Sequence, residues 1–182
     1  MTLITSSASG RSSSVTSALA NQDVRSGSTR RTRIEATSPE PRRFPFDLTD
    51  GTVLVELVGE EPDWLYSVLD RLQGLATLPQ NWDSYGGSRL TFEATLAALD
   101  FMARFLSEHA KEPTIVPASS GGVQLEWHRH VGDLEVTFSP EGALSAFFVD
   151  AASGVEWEMD VGNIDAHRLA IAVDAVTASL TH

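Results

Sequence analysis

The chain has 182 residues, 42% of them hydrophobic and 21% charged, with no cysteine and a net charge of −12. That length favours one domain, and the composition is that of an ordinary globular chain. Disulfides, thiolate nucleophiles and cysteine-ligated zinc are excluded, and no apolar run approaches the roughly 20 residues needed to span a bilayer.

The charge is divided unevenly. Residues 1–43 hold seven arginines against three acids, a net of +4, whereas the rest holds six basic and twenty-two acidic residues, a net of −16. Affinity for nucleic acid rests on Lys and Arg facing phosphates, so the acidic body argues against nucleic-acid binding by the folded part and in favour of a basic protein partner. The Ser/Arg-rich stretch 1–43 has too few apolar residues to offset the entropy of ordering, which predicts a disordered tail ahead of a single domain over 44–182. Its first residues lack the basic and continuous apolar regions of a secretory signal, and the cytoplasm is the default expectation.

"PRRFPF" reads as an extended segment docking on the body, and "TVLVELV" (Thr52 to Val58), rich in β-branched residues, as a strand. "EPDWLYSVLDRLQGLATLP" then turns helical, with Pro62 suited to a first helical position and Gly74 and Pro79 to its end. Thr91 is a good N-cap for a second helix, "FEATLAALDFMARFLSEHA", whose apolar stripe is predicted at Leu96, Leu99, Met102, Phe105 and Leu106.

From Thr114 to Asp160 the hydrophobic period is two. Val123, Leu125 and Trp127 alternate with Gln124, Glu126 and His128, and Leu134, Val136 and Phe138 with Glu135 and Thr137. Joints such as "SSGG", "HVGD" and "SPEG" are turn chemistry at regular spacing, the mark of an antiparallel meander. A two-residue turn at Val131-Gly132 would set Trp127 opposite Val136 and His128 opposite Glu135, leaving a polar face outward. The last helix, "IDAHRLAIAVDAVTASL", has Asp165 as its cap and Leu169, Val173, Val176 and Leu180 along one face. The predicted fold is α+β: a meander sheet of four or five antiparallel strands with two or three helices packed on one face.

Chemistry-bearing motifs are sparse. No G-x-S-x-G elbow, G-x-G-x-x-G turn or phosphate-binding loop occurs, so no catalytic residue and no cofactor is assigned. His128 and His130, two apart on a strand with Glu135 near, form a weak metal pattern against the simpler reading of a solvated face. Glu156 and Glu158, alternating with Val155, Trp157 and Met159, are expected to face water.

The most unusual stretch is "LPQNWDSYGGSRLT". Asn81 and Asp83 can bond nearby backbone amides, Gly86 and Gly87 allow left-handed backbone, and Trp82 and Tyr85 add large aromatics, so the loop is over-specified for a linker. With "PTIVPASSGGVQLEWHRH" it resembles a family of small bacterial and phage-borne proteins. Their pattern runs L-x-x-N-W-D-[GS]-Y-G-[AG], then P-x-[IV]-x-P-[ST], then G-G-[IV]-x-[LF]-E-W. The similarity covers about residues 75–150 and rests on Asn81, Trp82, Asp83, Tyr85, Gly86, Pro113, Pro117, Gly121, Gly122, Glu126 and Trp127. It departs after Gly87, where the family has Pro-Pro or Ala-Pro and this chain has Ser88-Arg89-Leu90. The resemblance implies architecture and carries no activity. It does link the loop to Glu126 and Trp127, which predicts one hydrogen-bond network over Asn81, Asp83 and Glu126 with Trp82 and Trp127 packed beneath.

The expected function is a non-catalytic binding or accessory module, of an immunity or antitoxin-like kind, with Asn81, Trp82, Asp83, Tyr85, Glu126 and Trp127 as its binding residues. The alternatives are a metal-dependent or hydrolytic enzyme using Asp83, Glu126, His128 and Glu135, and a phage structural component.

Overall fold

The computed structural model describes residues 40–48 and 51–178 and, nearer the N-terminus, two strands, β1 (Thr2–Ser7) and β2 (Val15–Thr16). The strands β3 (Arg42–Leu48) and β4 (Gly51–Val58) form a hairpin whose register sets Phe44 opposite Val55 and Phe46 opposite Val53. β1 pairs with the other side of β4, giving a small antiparallel sheet in the order β2-β1-β4-β3. Most of the stretch expected as a disordered tail lies outside the described residues. Its last two residues, Arg42 and Arg43, already belong to β3.

The docking segment expected at "FPF" is thus a sheet strand. Alternation explains why: Phe46, Val53, Val55 and Leu57 all reach the core, while Thr52, Leu54 and Glu56 are only half-buried. Pro45 is tolerated because β3 is an edge strand and needs no donor on its free side.

Helix α1 (Leu65–Ala76) begins later than Pro62 suggested. Trp64 holds the cap position, with its indole Nε1 donating to Ser107 O at 2.9 Å, and Pro62 precedes the helix, its carbonyl accepting from Leu65 N. Gly74 does not stop the helix, which closes two residues on before Pro79. Helix α2 (Phe92–Phe105) starts where Thr91 predicts: the Thr91 Oγ1 accepts from Ala94 N at 3.2 Å and donates to Pro140 O at 2.7 Å. Its buried face is Ala94, Thr95, Ala98, Leu99, Phe101 and Met102, rotated from the predicted stripe so that Leu96 is only half-buried. Thr95 can enter the core because its hydroxyl donates to Thr91 O at 2.9 Å. Asp165 caps α3 (Ala166–Thr177), accepting from His167 N and Arg168 N, and Leu169, Val173 and Val176 are buried as expected; Leu180 lies outside the described residues.

The meander is a five-stranded antiparallel sheet, β5 (Thr114–Pro117), β6 (Val123–Arg129), β7 (Gly132–Phe138), β8 (Leu144–Asp150) and β9 (Glu156–Met159), paired in sequence order. The predicted parity holds, but the register is two residues off. The turn is His130-Val131, so Leu125 faces Val136, Trp127 faces Leu134 and His128 faces Asp133. Gly132 opens β7, and only glycine fits there: a Cβ would lie 2.4 Å from Val149 O.

One face of this sheet presents Leu125, Trp127, Leu134, Val136, Phe138, Ala146, Phe148 and Met159 to the helices in a single core. α1 touches β3 and β5, α2 touches β4, β6 and β7, and α3 touches β6 and β7, so helices bridge the two sheets. Each large side chain buried here contributes about 1.5–3 kcal/mol relative to exposure, enough to fix which face turns inward. The architecture is α+β, and no helix among the described residues is long and apolar enough to cross a membrane.

Candidate binding surfaces

Two surfaces carry the chemistry singled out by sequence. The first is the loop between α1 and α2. Asn81 and Ser84 sit in the left-handed region, at φ 63° and 65°, a conformation that a local side-chain hydrogen bond makes tolerable at Asn81, while Ser84 N donates to Asn81 O at 3.1 Å. Asn81 Oδ1 accepts from Gly86 N at 2.7 Å, and Asn81 N donates to Gly87 O at 2.7 Å. Asp83 Oδ1 accepts from Tyr85 N and Gly87 N, both at 2.8 Å, and its Oδ2 accepts from Ser119 Oγ at 2.7 Å. The Ser119 hydroxyl and the two amides together hold the Asp83 carboxyl below its ordinary value.

Gly87 is required by that arrangement. A Cβ on it would stand 2.8 Å from Asp83 Cγ. Trp82 Nε1 donates to Ser88 O at 3.0 Å, and Ser88 N donates to Ser119 O at 2.8 Å, clamping the loop to the β5-β6 turn. The result is a rigid, self-bonded knob whose tip, Tyr85, is 94% exposed.

The predicted network with Glu126 is not formed. Asp83 spends its bonds on Tyr85, Gly87 and Ser119, while Glu126 bonds His128. Trp127 is buried in the core, with Nε1 donating to Lys111 O at 2.9 Å, and is no part of a surface. No hydrogen bond joins Asp83 to Glu126, His128 or Glu135.

The second surface is the open face of the five-stranded sheet. Strand register brings Glu126, Glu135, Phe147 and Glu158 into one row and His128, Asp133, Val149 and Glu156 into the next. Five carboxylates stand on this face, and no Lys or Arg occupies any of its strand positions. The sequence reading anticipated the polarity of β6 and β7 but missed Asp133 as a partner of His128, and missed the continuation through Glu156 and Glu158. Counting register across all four strands would have found both.

Glu126 and Glu135 are direct cross-strand partners. Like charges so placed destabilise a sheet. Each is eased by one neighbour: Gln124 Nε2 donates to Glu135 Oε2 at 2.8 Å, and His128 Nε2 lies 3.3 Å from Glu126 Oε2. His128 also meets Asp133, Nδ1 to Oδ1 at 3.1 Å, and these two contacts, Asp133 first, raise its pKa above 6.5.

His130 falls in the turn beyond β6 and does not share the strand face with His128, which corrects the His-x-His reading. Among the described residues no three His, Asp or Glu side chains are gathered to hold a metal ion. No protein-family model matches the chain, nor does any curated protein or solved structure.

Proposed function

We propose that the chain is a non-catalytic binding module that receives a cationic protein surface on the open face of its five-stranded sheet. The observation that carries this reading is the row of carboxylates Glu126, Glu135 and Glu158, with Asp133 and Glu156 beside it, on strand positions without a single Lys or Arg. A sheet that sets Glu126 against Glu135 gives up stability that a Gln or Lys at either position would restore. Cations of a partner would relieve the same repulsion, so the face is better suited to a complex than to water. Phe147, half-buried in the middle of the row, supplies an apolar anchor among the charges.

The rigid Tyr85 knob is a second contact of the same module, since an aromatic with a polar tip on a fixed loop loses little entropy on binding. Kinship with the bacterial and phage-borne proteins that share the Asn81-Trp82-Asp83 motif belongs to the same proposal.

The test is an amide chemical-shift map of the full chain titrated with oligo-arginine. Shifts on β6 through β9, with or without the Tyr85 loop, support the reading. Shifts that spare β6 through β9, or none at low salt, refute it.

A further inference from the structure

We infer that the edge strand β9 accepts an extended segment of the partner as a sixth strand, one that alternates basic and apolar side chains. This rests on the acidic-face reading and adds the shape and pattern of what that face receives.

Three observations converge. First, β9 is the end of the five-stranded sheet, pairing with β8 on one side only among the described residues. Asp150 N donates to Val155 O at 2.9 Å, and antiparallel ladders alternate, so the bonded pairs that follow are Phe148 with Trp157 and Ala146 with Met159. Glu156 and Glu158 therefore turn their backbone N–H and C=O groups to the free edge, ready for another strand.

Second, the two sides of β9 differ in chemistry. Glu156 and Glu158 continue the acidic face, while Trp157 turns toward α3 beside a groove of about 340 Å³ whose apolar wall is Phe148, Val155, Trp157, Ile171 and Ala175 and whose polar rim is Asp150, Ser153 and Arg168, the Arg168 guanidinium lying 5.3 Å from the Trp157 ring centre. Third, exposed apolar side chains concentrate here. Of the six large hydrophobic residues exposed among the described residues, Val155, Val161, Ile164 and Ile171 lie in or beside β9 and α3. Val155 and Ile171 line the same groove, and Val161 and Ile164 lie in the loop that joins β9 to α3.

A strand laid along β9 must send alternate side chains to these two sides. Those beside Glu156 and Glu158 meet carboxylates and fit Lys or Arg; those between meet Trp157 and Ile171 and fit Val, Ile or Leu. A second copy is a poor occupant, because antiparallel pairing of β9 with itself would set glutamate against glutamate in a chain of net charge −12.

The experiment uses the full chain and two peptides of about eight residues, one alternating Arg and Val and one with the same residues in two blocks. The alternating peptide is expected to bind about tenfold more tightly and to protect the amides of Glu156 and Glu158 from exchange. Glu158→Pro, which removes an edge donor, is expected to abolish that preference and the amide protection, whereas Glu158→Gln, with the same loss of charge, lowers the preference only in part and keeps the protection. Ile171→Asp is expected to remove it through the groove, which guards against misfolding of the proline variant. Equal binding of both peptides would overturn strand addition and leave the acidic-face reading standing. Binding of neither would overturn both, and dimerisation through β9 would overturn the choice of partner.

Discussion

Glu126 and Glu135 stand directly opposite each other on β6 and β7, a like-charge pair eased on one side by His128 and on the other by Gln124. Cross-strand pairs of this kind are worth about 0.2–1 kcal/mol either way, which is a measurable fraction of a domain's stability. Replacing Glu135 with Gln keeps the shape and removes the repulsion. Glu135→Gln is expected to raise the melting temperature while weakening binding of oligo-arginine, and a fall in melting temperature would show that the pair is not under strain.

The His128 ring, between Asp133 and Glu126, has its pKa raised above 6.5, its contact with Asp133 being the larger cause. A raised folded-state pKa contributes stability that is fully present below 6.5 and is lost as pH rises through the higher folded value. Protonation also places a cation on the acidic face, so a cationic partner is expected to bind more tightly above the titration than below it. Proton NMR of His128 in the Asp133→Asn variant checks this: its pKa should fall toward 6.5.

Gly87 and Asp83 form one unit, since the carboxylate occupies the space a Cβ on residue 87 would need. Gly87→Ala and Asp83→Ala are each expected to lower the melting temperature. Together they should cost less than the sum, because alanine at 83 removes the clash as well as the bonds. A strictly additive double variant would contradict the geometry. The Asp83 carboxyl is held below 3.8, so its contribution is present above that value and lost as pH falls through its folded pKa.

Two glycines separate propensity from packing. Gly74 lies exposed inside α1 with nothing within 4 Å of an added Cβ, so Gly74→Ala is expected to stabilise by about 0.5–1 kcal/mol. At Gly122 a Cβ would stand 2.2 Å from Phe138 O, and Gly122→Ala is expected to disrupt the start of β6. Melting curves of the two variants should move in opposite directions.

Tyr85 touches little at the tip of its loop, being 94% exposed. Tyr85→Ala is expected to leave stability within about 0.5 kcal/mol of the parent, as surface changes do. A larger loss, read from denaturant unfolding, would mean that the ring packs against the body.

The meander and the two helix caps were legible because each depends on local spacing: period two from Val123 to Phe138, and a hydroxyl or carboxylate at Thr91 and Asp165. The register was not. Turns at Val131-Gly132 and at His130-Val131 keep the same residues inward, so alternation alone does not choose between them, and the close approach of Gly132 to the Val149 carbonyl lies seventeen residues away in the chain. The second sheet was half-legible, since Phe44 and Phe46 read as extended but their partners Val55 and Val53 are set by the turn between β3 and β4.

At the candidate surfaces the same division holds. The internal bonds of the Asn81 to Gly87 loop follow from residues close in sequence, whereas its anchor, Ser119, is thirty-six residues from Asp83 and no pattern announced it. Glu126 and Trp127, adjacent in the chain, part company because neighbours on a strand face opposite ways, one to solvent and one to Lys111.

The claim that the open sheet face binds cations is tested most directly by isothermal titration of oligo-arginine into the parent chain and into a variant carrying Glu126→Gln, Asp133→Asn, Glu135→Gln, Glu156→Gln and Glu158→Gln. The parent is expected to bind at low salt and to weaken steeply as ionic strength shortens the screening length toward about 3 Å at 1 M. The neutralised face should show neither the binding nor the salt dependence. Equal affinity of the two chains, with the variant folded, would contradict it.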